Sequence, residues 1–262
     1  MSGQLQALKA ELIKSQYANI LWITFIAFGL APVMGGVFML IMTNPDAIAL
    51  AGPLKAKSDV MHFSADWKSY FELLTQAIGV GGVLVFGFIA SWIFGREYSE
   101  GTAKDLLALP TSRTQIINAK FFIYGGWSFA LVISNLLLGL LIGTLLQISD
   151  AQSFSLASYL FDNFVTTVLT ILLGTPIAFF AIWGKGYLAP LGVVALALVF
   201  SQVIAAAGFG YYFPWSVPGL FSGAGGIYKA QLNSMSYTIL ILTSFAGYVA
   251  TVFFWKLADQ TK

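Results

Sequence analysis

The sequence predicts an all-α polytopic membrane protein, a single domain over 1–262 with six transmembrane helices. Three observations predict it. Of 262 residues, 58 % are hydrophobic and 9 % charged, whereas a soluble globular chain carries about 25 % charged residues. Charges bracket six uncharged runs, at 15–45, 73–95, 121–149, 163–184, 186–228 and 230–255. Each exceeds the ~18–20 residues a helix needs to cross the hydrocarbon layer. Finally, Lys and Arg are unevenly divided between the two sets of connections. With the N-terminus inside, nine are cytoplasmic (Lys9, Lys14, Arg96, Lys104, Arg113, Lys120, Lys185, Lys256, Lys262) and four external (Lys55, Lys57, Lys68, Lys229). That bias favours cytoplasmic termini.

The elements follow in order. In 1–19, Leu5, Leu8 and Leu12 recur at helical spacing among Gln4, Gln6, Lys9, Glu11 and Lys14. That pattern predicts an amphipathic helix lying in the membrane interface. Spans are expected near 20–42, 74–95, 121–146, 164–183, 187–207 and 237–255. The outer loop 43–71 ends in Trp67, Tyr70 and Phe71, which suit an interfacial aromatic belt. His62, the one His, lies there; with no Cys and no second His it predicts no metal site. Span three carries the close-packing pair Gly139 and Gly143, read as packing within one subunit. Pro214, Pro218 and repeated Gly break the second half of the fifth run, so 208–233 is expected to be an external re-entrant or interfacial element. Asp162, Asn135, Thr170 and Gln202 are the polar candidates for a substrate path.

The densest charge lies at 96–113, between spans two and three. Gly101 can end the incoming helix in the left-handed conformation. Thr102 can cap a short helix over 103–109, with Asp105 in capping-box position, and Pro110 ends it. Ser112 can then cap the next helix with Gln115 as its box partner. A short charged helix held between two spans is placed to press on something outside the membrane.

Glu97, Gly101, Thr102, Leu106, Leu107, Pro110, Ser112, Arg113 and Lys120 together form E-x-x-x-G-T, a leucine pair, P-x-S-R and a span-heading Lys. The pattern covers about 25 residues and resembles permease subunits of type-2 ATP-binding-cassette (ABC) exporters. The resemblance implies that 96–113 is a cytoplasmic coupling segment. It implies soluble ABC ATPase subunits as partners, with ATP and Mg bound there, and a second permease subunit, identical or related. Glu97, Glu100, Gly101, Thr102, Leu106, Leu107 and Arg113 would form the coupling contact. The stretch 212–219 resembles the outer element of permeases tied to peptide-antibiotic immunity and bacitracin-type resistance. Export of a hydrophobic or amphipathic compound across the cell membrane is the implied function.

Several functions are excluded by absence. Gly184-Lys185 is followed by Gly186, so no P-loop exists and this chain is not expected to be an enzyme. Zero Cys excludes zinc-thiolate sites and Cys nucleophiles. A net charge of +2 without a basic run argues against nucleic acid. Two alternatives stay open: an ion-gradient-driven secondary carrier, and a non-transporting scaffold or sensor that docks a cytoplasmic partner. Few carboxylates at membrane depth argue against the carrier.

Overall fold

The computed structural model describes residues 3–44, 52, 64–103, 111–149 and 155–257. Helix α1 (Gly3–Gln16) precedes span one, α2 (Asn19–Thr43). Span two, Trp67–Ser99, is built from α3 (Trp67–Gln76), a π-helical turn (Ala77–Gly81) and α4 (Gly82–Ser99). Span three is α5 (Arg113–Leu145). Span four, Leu156–Trp183, is α6 (Leu156–Leu172) followed by α7 (Gly174–Trp183). Span five is α8 (Leu188–Ala206), and span six is α10 (Ser234–Leu257). Between them lie 3-10 turns at Gly210–Tyr212, Pro214–Ser216 and Gly226–Gln231 and the short α9 (Val217–Phe221). Among the described residues six helical stretches are long and apolar enough to cross a membrane. None of the pieces of 208–233 is.

Spans two and four form the centre. Phe86, Ile89, Ile93 and Phe94 of α4 pack with Ile117, Tyr124 and Leu131 of α5 and with Ile177, Ala181 and Ile182 of α7. Spans one, three, five and six wrap this centre and leave most of their apolar surface outward, as expected of helices whose solvent is lipid. The irregular segment between spans five and six seats Val217 against Leu169, Leu173 and Leu240. A side chain at Gly79 would strike the Pro218 carbonyl, so the π-turn of span two accepts α9 directly.

Two local expectations change, the aromatic belt and the start of span three, and the packing of the glycine pair within one subunit holds. Tyr70 and Phe71 are wholly buried, not displayed in an aromatic belt. Tyr159 stacks on Phe71 with ring centroids 4.2 Å apart. Gly139 and Gly143 make room for Leu74 and Trp67, so this glycine pair packs within one subunit. Of the α1 leucines, Leu8 packs on the core while Leu5 and Leu12 stay exposed. The face of α1 turned inward carries Ala7, Glu11 and Ser15. Span three also begins well before 121, because Lys120 is buried inside the helix and does not mark its edge.

Candidate functional site

The last turn of α4 carries charge into the protein. Gly101 follows in the left-handed conformation, with φ +73°, and its amide bonds the Tyr98 carbonyl at 3.3 Å. Span two therefore stops where the chemistry of glycine allows it to stop. Glu100, Gly101 and Thr102 are exposed just beyond that stop. Ala103, the first residue of the predicted short helix, is buried, while 104–110, with Leu106 and Leu107, lie outside the described residues, as do the loop positions around His62. The chain resumes at the capping box of α5. The Gln115 amide donates to Ser112 Oγ at 3.3 Å, and the Ser112 amide donates to Gln115 Oε1 at 3.3 Å. Arg113 is exposed and donates to the Lys256 carbonyl at 2.9 Å, joining the start of span three to the end of span six. A guanidinium there also suits the negative end of a helix dipole. The tight turn after span four lies beside the same end of α4, where Gly95 faces the backbone of Gly186 and Tyr187.

Directly beneath the charged segment is a buried ion cluster. Glu11 of α1, Arg96 and Glu97 of α4 and Lys120 of α5 are each at most 5 % exposed. Lys120 Nζ lies 2.6 Å from Glu97 Oε1, 3.3 Å from Glu11 Oε2 and 2.9 Å from the Ile93 carbonyl. Arg96 donates to Glu11 Oε2 at 3.0 Å and lies 3.4 Å from Glu97 Oε1. Its guanidinium also covers the Trp92 ring at 4.5 Å. The half-exposed Lys14 closes the cluster, 2.9 Å from Glu11 Oε1 and 3.5 Å from Glu97 Oε1. Three cations thus face two carboxylates, and Glu97 Oε2 has no hydrogen-bond partner among the described residues. Burial works against the charge of Glu11, but Lys120 and Lys14 outweigh it and hold the carboxyl below its ordinary range. Removing one partner of such a cluster strands a buried charge, which costs about 3–5 kcal/mol. The cluster therefore ties α1, span two and span three together at one level.

The candidate residues occupy different places. Glu97 faces inward within the cluster, whereas Glu100, Thr102 and Arg113 face outward. Asp162 lies at the other end of the molecule, half-exposed, 3.8 Å from Lys229. Asn135 is buried between spans three and one, and its Nδ2 donates to the Phe28 carbonyl at 3.4 Å. Thr170 bonds the Thr166 carbonyl at 2.7 Å and touches the π-turn at the Ile78 carbonyl, 3.5 Å away. Gln202 lines a cavity of about 50 Å³ between the π-turn, span five and α9. Ser201, Ser216 and Trp215 share its wall. These four candidates do not meet in one cavity.

Sequence reasoning missed Glu11, Arg96 and Lys120 as one unit. A signal was present: Lys120 lies inside the helix that Ser112 caps, and a lysine beyond the first turns of a span requires a partner. Glu11 supplies it, but nothing local in the sequence pairs residues so far apart.

Comparison with known proteins adds a family. A sequence model described as "ABC-2 family transporter protein" matches residues 7–205. The bacitracin transport permease protein BCRB of Bacillus licheniformis is 27 % identical over 178 residues, covering 68 % of this chain and 85 % of that protein. No solved structure matches.

Proposed function

The chain belongs to the ABC-2 family of transporter proteins, and from its place there as a six-span membrane permease subunit we propose that it exports a hydrophobic or amphipathic compound, powered by a separate ATPase. The name of its bacitracin permease relative supports a peptide antibiotic or a similar amphipathic molecule as cargo. ATP and Mg bind in the partner. Two permease subunits enclose the path, and two ATPase subunits dock below on 96–113. The excess of Lys and Arg on that side supports cytoplasmic termini, with the segment within the partner's reach.

The ion cluster under the segment is the observation that carries this reading. A docking element that transmits force needs a stiff root. Here the root is Lys120 and Arg96 clamped onto Glu97 and Glu11. Glu97 acts from within, by fixing the end of span two; Glu100, Thr102 and Arg113 supply the outward surface. When ATP closes the partner, the segment moves with it. The spans then exchange inward- and outward-facing packings, by as much as the differential binding free energy allows.

Copurification tests the docking. The double variant Glu100→Lys/Arg113→Glu changes exposed residues outside the buried cluster, so membrane insertion is expected to survive. Losing a hydrogen-bonded interfacial charge pair costs about 2–5 kcal/mol, and each ~1.4 kcal/mol is tenfold in affinity. The variant should lose its ATPase or its substrate-stimulated hydrolysis. Normal copurification with normal stimulation would contradict docking at this segment.

A further inference from the structure

Two spans carry a proline in their interior, where a helix can kink, and span three reaches a carbonyl beside each. Pro32 in α2 has no amide hydrogen, so the Phe28 carbonyl loses its helical donor. Asn135 Nδ2 of span three takes that place at 3.4 Å. In span four, Pro176 removes the donor to the Leu172 carbonyl just after the break between α6 and α7. Thr175 Oγ1 lies 2.9 Å from the Leu172 carbonyl and 2.6 Å from the Ser244 carbonyl of span six, and its one proton serves either. The neighbouring Ile171 carbonyl accepts from Tyr124 Oη of span three at 3.0 Å. Tyr124 is buried, and Gly174 leaves the space its hydroxyl occupies.

Span three itself is unbroken over Arg113–Leu145 and contains no proline. Its N-terminus is the capping box at the end of the charged segment, and its Lys120 grips spans two and α1. Between the two braces Trp127 Nε1 also donates to Thr24 Oγ1 of span one at 3.1 Å. One unbroken helix thus meets the charged segment at one end and the two proline sites farther along. Kinks of this origin mark the places where a span can bend.

We propose that span three is the rigid shaft that carries movement of the charged segment to the kinks of spans one and four. Asn135 and Tyr124 are its positioning residues, each holding one kink to the shaft. This rests on the transport reading above. During the cycle α7 keeps its place against spans two and six, where Gly247 of span six lies on Pro176, and α6 swings about Pro176.

The chain has no cysteine, so pairs of spin labels can be placed cleanly. Phe161→Cys with Leu145→Cys reports on the outer ends of spans four and three; Trp183→Cys with Phe122→Cys reports on the inner ends. All four positions are exposed. Distances are measured in the complex with its ATPase, nucleotide-free and trapped with ATP. At 1.5 Å per residue, a 20° swing of α6 about Pro176 moves its end at Leu156 by roughly 10 Å and Phe161 by roughly 8 Å. The outer pair should shift by several ångströms and the inner pair by less than half as much. Tyr124→Phe keeps the ring and removes the hydroxyl. It should shrink the outer shift and lower the substrate moved per ATP, whereas a merely structural role would leave that ratio alone. Equal shifts in both pairs would mean a rigid tilt and overturn the inference. Unchanged distances in a complex that transports would overturn it and leave the transport reading standing. Unchanged distances without transport would remove both.

Discussion

Lys120 is the residue on which this end of the bundle depends most. It sits 1 % exposed between two carboxylates and a carbonyl. Lys120→Met removes the cation and leaves Glu11 and Glu97 buried with Arg96 and Lys14 alone. We expect a loss of about 3–5 kcal/mol of stability, read as a lower melting temperature and poor recovery of the purified protein. Lys120→Met with Glu97→Gln should recover part of the loss, because the buried charge is then removed in pairs; a double-mutant cycle measures the coupling. No recovery would show that Lys120 acts through packing alone. The pH response follows from Glu11, whose carboxyl titrates below its ordinary value. Its contribution is fully present above the unfolded carboxylate pKa and is lost as pH falls through the lowered folded one. Asp66 behaves alike. Burial opposes its charge, but its bonds from Ser64 and Ser69 prevail, and Ser69 donates to it at 2.8 Å as the N-cap of α3. Thermal stability should therefore be flat from neutral pH to about pH 5 and fall only below about pH 4. A decline beginning near pH 6 would contradict this assignment.

The elements were legible to different degrees, and the differences have physical causes. The glycine stop at Gly101 and the box of Ser112 with Gln115 were readable because both depend on neighbours in sequence. Ser112→Ala should cost about 1 kcal/mol, seen as a modest shift in melting temperature; an unchanged value would mean that the box is dispensable. Irregular backbone inside spans was not readable. The π-turn of span two needs α9 to press on Gly79, and that contact joins distant parts of the chain. Gly79→Val would drive a side chain into the Pro218 carbonyl and should dislodge the outer segment from span two. The aromatic residues Tyr70 and Phe71 have the composition of an interfacial belt, but Tyr159 and span three bury them. Asn135 and Thr170, chosen as polar residues of a path, bond to carbonyls at helix irregularities. Polarity alone does not distinguish a residue that faces cargo from one that mends a helix.

At the scale of the whole molecule the six spans follow from composition and charge spacing, and the structure carries helices at all six. The amphipathic pattern of α1 spoke for the membrane surface, while its buried face joins the ion cluster through Glu11. Orientation has its own test. Single cysteines at Ser64, beside the start of span two, and at Thr102, beyond its end, lie on opposite sides of the bundle. An impermeant thiol reagent applied to intact cells should label position 64 and spare 102. The reverse would turn the molecule over and remove the charged segment from any cytoplasmic ATPase. The central claim is that this chain, with an ATPase docked below the ion cluster, moves an amphipathic compound outward. The most direct measurement is transport in liposomes that contain only the purified permease and its copurified ATPase. Movement of a labelled peptide antibiotic should require ATP, persist without any ion gradient, and stop in the Glu100→Lys/Arg113→Glu variant. Transport driven by an ion gradient in the absence of the ATPase would contradict it.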